Sequence, residues 1–143
     1  MREILFRGKR KDNGEWVEGF YYVRQAMHGK LLLGEPEHVI TTGVLKIYGA
    51  YGEREQLSQV EVIPETVGQF TGLTDIGGKK IFEGDIMKTA VTGLASHTGV
   101  VEFADGAFGL RCTDGAGLFL CYVAGSFTII GNVHDHPELL EVK

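Results

Sequence analysis

Residues 99–124 have the sequence GVVEFADGAFGLRCTDGAGLFLCYVA, in which three short apolar runs are separated by two glycine-containing turns. The first turn is Asp105-Gly106 and the second is Asp114–Gly117. Aspartate next to glycine is typical of tight hairpin turns, because glycine adopts a positive φ without steric cost. The stretch therefore predicts three consecutive strands, Gly99–Phe103, Ala107–Cys112 and Leu118–Ala124.

The same pattern continues on both sides of this stretch, and the chain contains 21 glycines but only three prolines. Further strands are predicted at Gln69–Leu73, Lys79–Phe82, Asp85–Lys88 and Thr128–Val133. Such a density of turns predicts a mainly β protein of short strands and hairpins. Its C-terminal half, residues 71–143, is predicted to be a small SH3-like or OB-like barrel.

The N-terminal half, residues 1–70, is predicted to be a β hairpin region, unless the whole chain is one continuous domain. Asn13-Gly14 predicts a type I′ turn between Ile4–Lys9 and Glu15–Val23, with Trp16 as a core anchor. Gly49–Glu55 is the least patterned stretch and is predicted to be a loop. The remaining segments predicted as strands are Lys30–Leu33, Glu37–Ile40, Val44–Tyr48 and Leu57–Ile63, of which the last also fits a short helix.

Composition and charge narrow the class of protein. The net charge of −5 argues against broad nucleic-acid binding, which requires a basic face. The N-terminus has no apolar signal segment, and the longest apolar run, Leu118–Ala124, is too short to span a membrane. These features predict the cytoplasm, where Cys112 and Cys121 would be free thiols.

Four segments of the chain, in order, resemble the YopX family of phage and prophage proteins. They are ILFRGK (4–9) with GEWVEG (14–19), VIPETVGQFTGLTD (62–75) with IFEGDI (81–86), GVVEF (99–103) with Gly109, and IIGNV (129–133) with PELL (137–140). The resemblance implies a gene carried by a bacteriophage or prophage, so that the expected compartment is the cytoplasm of a bacterial host cell. It implies no activity, since it offers no catalytic residues to transfer. We therefore expect a non-catalytic protein-interaction or assembly module without a cofactor.

Three groups of residues are candidate chemical sites. His134 and His136 would point the same way on a strand and are the best metal-ligand candidates, although a polar chain-end loop is the favoured interpretation. Ser96-His97 would need an orienting acid to act as a nucleophilic pair. The spacing of the two cysteines matches no metal or thioredoxin motif, which favours buried structural thiols.

An alternative function is single-stranded nucleic-acid binding. Basic residues crowd the N-terminus, and tyrosines that could stack on bases occur elsewhere. The basic candidates are Arg7, Lys9, Arg10 and Lys11, and the aromatic ones are Tyr21, Tyr22, Tyr48 and Tyr51.

Self-association is the last expectation. The segment Leu118–Ala124 is apolar at nearly every position, so a strand there would present one apolar face to the core and another outward. The outer face needs cover from the same chain or from a symmetry mate. We therefore expect a homo-oligomer.

Overall fold

The computed structural model describes residues 2–25, 34–93 and 95–141, and within them the mainly β prediction is confirmed. The strands are β1 (Phe6–Lys9), β2 (Trp16–Gln25), β3 (Pro36–Gly49), β4 (Gly52–Glu61), β5 (Gly68–Thr74), β6 (Lys80–Phe82), β7 (Asp85–Thr89), β8 (Thr98–Ala104), β9 (Ala107–Cys112), β10 (Gly117–Phe119) and β11 (Phe127–Asn132). A single helical turn, α1 (Leu120–Val123), follows β10, and 3₁₀ turns occupy Pro64–Thr66, Ala124–Ser126 and Pro137–Leu140. The predicted strand Lys30–Leu33 lies outside the described residues.

The chain divides into two compact units, Ile4–Gly68 and Met1–Glu3 with Gln69–Lys143. In the first unit an antiparallel sheet has the order β4-β3-β2-β1, so that each strand pairs with its neighbour in sequence. The side chains of Val39, Ile40 and Val62 are buried. Hairpin connections suffice for this order, as the alternation of turns and short apolar runs predicts.

The N-terminal hairpin forms as predicted, but its turn is not type I′. Lys9 pairs with Trp16, which leaves residues 10–15 in the connection. Gly14 has a φ of +75° while Asn13 does not have a positive φ, and the Gly14 N–H donates to the carbonyl of Arg10 at 2.9 Å. A type I′ turn requires a positive φ at both central residues. The prediction of a two-residue turn was therefore wrong.

The middle of the chain is a long hairpin rather than a loop between separate strands. Both Glu37–Ile40 and Val44–Tyr48 lie within β3, whose register shifts between Thr41 and Gly43. Gly49 pairs with Gly52, so the loop predicted at Gly49–Glu55 was wrong. Gly52 accounts for the tight connection, because its φ of +103° is one that glycine adopts without strain.

In the second unit β5 pairs with β6, and a five-stranded antiparallel sheet has the order β10-β9-β8-β7-β11. The predicted hairpin between β8 and β9 is confirmed, and β8 also pairs antiparallel with β7. This strand order has β10 and β11 at its two edges and does not show closure into a barrel. The core of this unit is one cluster of buried side chains: Ile81, Met87, Val101, Leu110, Cys112, Leu120, Ala124 and Phe127.

The prediction of a strand over Leu118–Ala124 was wrong after Phe119, where β10 ends. After Phe119 the chain leaves the sheet and forms α1. A helical turn brings residues four apart to the same side, so Leu120 and Ala124 are both buried. Phe119 and Tyr122 point outward instead. The local structure is thus determined by the packing of Leu120 into the core, and the apolar composition of the segment alone could not predict it.

Candidate functional site

An exposed aromatic pair marks the edge of the five-stranded sheet. Phe119 is 62% exposed and Tyr122 is 83% exposed, and their rings meet edge to face with 6.3 Å between centroids. We call Leu118, Phe119, Cys121 and Tyr122 the β10 patch. A groove of about 420 Å³ runs beside it and is lined mostly by small and apolar residues of β9 and β10. Large exposed aromatic groups in such a setting are typical of interaction surfaces.

A second candidate group of side chains lies where β9 ends, at Cys112. His97 Nδ1 and Asp114 Oδ2 are 2.9 Å apart, and Cys112 Sγ completes a trio whose potential ligand atoms all lie within 4.8 Å of one another. Asp114 is thus an acidic partner of His97 that could not be identified from the sequence. Seventeen positions separate the two residues, so only the β8–β9 pairing could have revealed the contact.

The electrostatics of this trio are asymmetric. The pKa of Asp114 is lowered, first by the backbone N–H of Ala116 and also by the contact with His97, against an opposing effect of desolvation. The pKa of the Cys112 thiol is raised by burial and, to a lesser extent, by the charge of Asp114. A nucleophilic cysteine needs a lowered pKa. The trio therefore lacks the electrostatics of an activated nucleophile.

The four basic residues of the N-terminus fall into two pairs with different surroundings. Arg7 and Lys9 lie over the ring of Trp16, with their cationic groups 4.8 Å and 5.5 Å from its centroid. Arg10 donates two hydrogen bonds to Asp12 at 2.9 and 2.8 Å, and Lys11 Nζ lies 3.0 Å from Glu61 Oε1. Trp16 is half-buried and supports cations rather than anchoring the core.

The tyrosines do not form one surface. Tyr21 lies partly buried against Phe6, with 5.3 Å between ring centroids, and its hydroxyl is hydrogen-bonded to His38. Tyr48 and Tyr51 are highly exposed near the connection between β3 and β4. In the strand order β4-β3-β2-β1, the β3–β4 hairpin is at the opposite end from β1, which carries Arg7 and Lys9.

His134 and His136 lie in the turn after β11 and not on a strand. The side-chain oxygen of Asn132 accepts hydrogen bonds from the backbone N–H groups of His134 and Asp135, both at 3.0 Å. The His136 ring lies against Gly131, and the side chains of Val133 and His134 lie near Gly84. Within the described ranges, these two histidines are not part of a cluster of three potential metal ligands.

The long segment at residues 62–86 contributes buried polar groups to the structure. Thr66 Oγ1 accepts the Lys9 N–H at 2.9 Å and donates to the carbonyl of Ile63 at 2.6 Å. Asp85 Oδ2 accepts the Phe82 N–H at 2.8 Å, and Asp75 accepts backbone N–H groups in the same way. Buried carboxylates bound by backbone amides are typical of structural roles.

These features define a class: a small mainly β protein that combines an exposed aromatic patch with buried, amide-bound carboxylates. A family model described as YopX protein matches residues 5–141, and the chain belongs to the YopX family. Its fold is similar to that in the crystal structure of protein EF1440 from Enterococcus faecalis, with a TM-score of 0.60 and 22% sequence identity over 99% of this chain and 100% of that one. A search of curated proteins found no match. None of the described helices is long and apolar enough to cross a membrane.

Proposed function

We propose that the protein is a non-catalytic assembly module, encoded by a phage or prophage, that self-associates in the cytoplasm of its bacterial host through the β10 patch. The observation that carries this proposal is the outward pair Phe119 and Tyr122. An aromatic pair this exposed leaves much apolar surface in water. Burial of such surface is the main favourable contribution to association.

The sheet edge supports a second copy as the occupant. In the described residues β10 pairs with β9 on one side only, so its other side presents backbone donors and acceptors. Proteins pair, cover or block such edges. Two copies related by a two-fold axis could pair β10 with β10 in antiparallel fashion, which is the self-complementary geometry of closed dimers.

The charge distribution also supports self-association at this place. The net charge of −5 opposes contact between copies in general. The β10 patch itself contains no charged residue, and the two charged residues that line the groove, Glu102 and Arg111, form an ion pair with 3.0 Å between Oε2 and Nε. Contact through this patch would therefore bring no unpaired like charges together.

A binding role in place of catalysis is supported by the chemistry of the cysteines. Cys112 is buried with a raised thiol pKa, and Cys121 is exposed and unpaired. Free thiols fit a reducing compartment. The buried carboxylates of Asp75 and Asp85 are bound by backbone amides, as described above, which leaves them poorly placed for acid–base chemistry.

Light scattering coupled to gel filtration, over a dilution series from high to low micromolar concentration, tests the proposal. We expect a mass above the 15.7 kDa of one chain. Phe119→Asp and Tyr122→Asp should each yield folded monomers, because a charge would be buried without a partner at the interface. Tyr51→Asp is the matched control, since Tyr51 is also a highly exposed aromatic residue but lies in the other unit. A mass of one chain at all concentrations would refute self-association and leave a heterologous protein as the partner.

A further inference from the structure

We propose that His97, Cys112 and Asp114 bind a single zinc ion or a similar thiophilic divalent cation. The three side chains supply an imidazole, a thiolate and a carboxylate, which are the ligand types that zinc takes in proteins. The thiol disfavours magnesium and calcium, which prefer oxygen ligands. This site is independent of the β10 patch and of self-association.

The strand pairing places the three side chains on one side of the β8–β9 hairpin. Gly99 pairs with Cys112, and the Thr113 N–H donates to the carbonyl of Thr98 at 2.9 Å, so the ladder continues towards His97 and Asp114. Asp114 lies in the turn that begins at Cys112, where the Gly115 N–H donates to the Cys112 carbonyl at 3.1 Å, and this turn brings the Asp114 carboxylate close to the Cys112 thiol. His97 then faces Asp114 across the strands.

Each ligand is held by its own backbone contacts. The His97 N–H donates to Thr89 Oγ1 at 2.8 Å, and its carbonyl accepts the Thr89 N–H at 3.0 Å. The Ala116 N–H binds Asp114 Oδ1 at 2.9 Å, which leaves Oδ2 towards His97. The Cys112 N–H donates to the carbonyl of Ala116 at 2.8 Å. Sites with ligands fixed in this way lose little freedom on binding a metal.

The distances fit a metal after small side-chain movements. Bonds of about 2.0–2.3 Å in a tetrahedron separate the ligand atoms by roughly 3.3–3.8 Å. The three potential ligand atoms lie within 4.8 Å of one another, and the His97–Asp114 contact of 2.9 Å must open slightly. An ion would thus replace a hydrogen bond by two metal–ligand bonds. The fourth coordination position would be open to water or another ligand.

The charges also balance. A thiolate at Cys112 and the carboxylate of Asp114 carry two negative charges, which one divalent cation neutralises. Cys112 is only 5% exposed, and a buried thiolate without a counter-ion is costly. The metal would displace the thiol proton, as it does in other thiolate sites.

Titration of the purified, reduced protein with Zn²⁺, and with Co²⁺ as a spectroscopic probe, tests the site. We expect one ion per chain and a thiolate-to-cobalt charge-transfer band. His97→Asn and Cys112→Ala should each weaken Zn²⁺ binding by more than about 10-fold, because loss of even an outer partner of a ligand costs 10–100-fold. Cys121→Ala and the double variant His134→Asn/His136→Asn are matched controls that should bind as the unmodified protein does.

The proposal would be overturned by absence of stoichiometric binding, by a cobalt spectrum without the thiolate band, or by loss of binding in the His134/His136 variant alone. His97 is only partly buried and Asp114 is exposed, so His97→Asn and Asp114→Asn should fold normally, as circular dichroism can verify. They keep the test decisive if Cys112→Ala disturbs the core, to which Cys112 belongs. Unchanged Zn²⁺ affinity in folded His97→Asn would also refute the site.

Discussion

The carboxylate of Asp75 accepts a hydrogen bond from the backbone N–H of Ile129, with 3.1 Å between Oδ2 and N, although 54 positions separate the two residues. The other oxygen, Oδ1, accepts the N–H groups of Gly77 and Lys79, both at 2.9 Å. Asp75 is only 7% exposed. One buried carboxylate therefore holds the turn after β5 and also β11, which explains an aspartate at this place without any catalytic role.

Substitution Asp75→Asn should destabilise the protein strongly. An amide has one acceptor oxygen in place of two, and its NH₂ group would face backbone donors. Hydrogen bonds to charged groups contribute about 1.5–3 kcal/mol, and an unsatisfied buried donor costs about 1–3 kcal/mol. We expect a loss of about 2–4 kcal/mol in the free energy of unfolding, measured by urea denaturation.

Asp12→Asn is the matched control for this substitution. Asp12 is exposed and pairs with Arg10 at the surface, where ion pairs contribute little because solvent screens them. A similar loss of stability in both variants would show that the effect of Asp75 does not come from its buried hydrogen bonds.

The same carboxylate should make stability depend on pH in the acid range. Burial alone would raise the pKa of Asp75, but the N–H groups of Ile129, Lys79 and Gly77 hold it below its ordinary value. A lowered folded-state pKa adds stability above the unfolded value of about 3.9. That contribution is lost as the pH falls from about 4 through the folded-state pKa. Urea midpoints of the unmodified protein should therefore fall more steeply below pH 4 than those of Asp75→Asn, and parallel curves would contradict the assignment.

Gly19 should be intolerant of alanine, unlike another glycine of the same unit. A Cβ at Gly19 would overlap the carbonyl oxygen of Thr41 on the neighbouring strand, which is backbone and cannot rotate away. Overpacking of this kind costs about 3 kcal/mol. At Gly49 an added Cβ meets nothing within 4 Å. Thermal unfolding of Gly19→Ala and Gly49→Ala should therefore show a large loss of stability only in the first.

The sequence predicted the hairpins well where turn residues and apolar runs agree. β9 begins and ends at the predicted residues, Ala107 and Cys112, because a turn with glycine flanks each end. Apolar composition failed at Leu118–Ala124, since an apolar strand and a buried helical turn have the same composition. The absence of an apolar pattern also led to the wrong prediction of a loop at Gly49–Glu55, where exposed polar residues belong to the β3–β4 hairpin.

The candidate sites depend more on tertiary pairing and were less predictable. His97 and Asp114 are far apart in sequence, and their contact follows from the register in which Gly99 pairs with Cys112. His134 and His136 would share one face if they lay on a strand, although the sequence favours a polar chain-end loop at this place. They lie in a turn fixed by Asn132, where that alternation does not apply. Asp75 could not be assigned its role because its partner Ile129 is in a distant strand.

The basic N-terminus should not bind single-stranded nucleic acid tightly. Arg10 and Lys11 already pair with Asp12 and Glu61, and a phosphate would have to displace these carboxylates. Four cations that all contacted phosphates would give a slope of about −3 in log affinity against log salt concentration. We expect gel shifts with an oligothymidine to show no complex at micromolar protein and about 0.1 M salt. Micromolar binding with that slope, abolished by Arg7→Ala with Lys9→Ala but not by the surface control Lys46→Ala, would contradict this prediction and favour a nucleic-acid function.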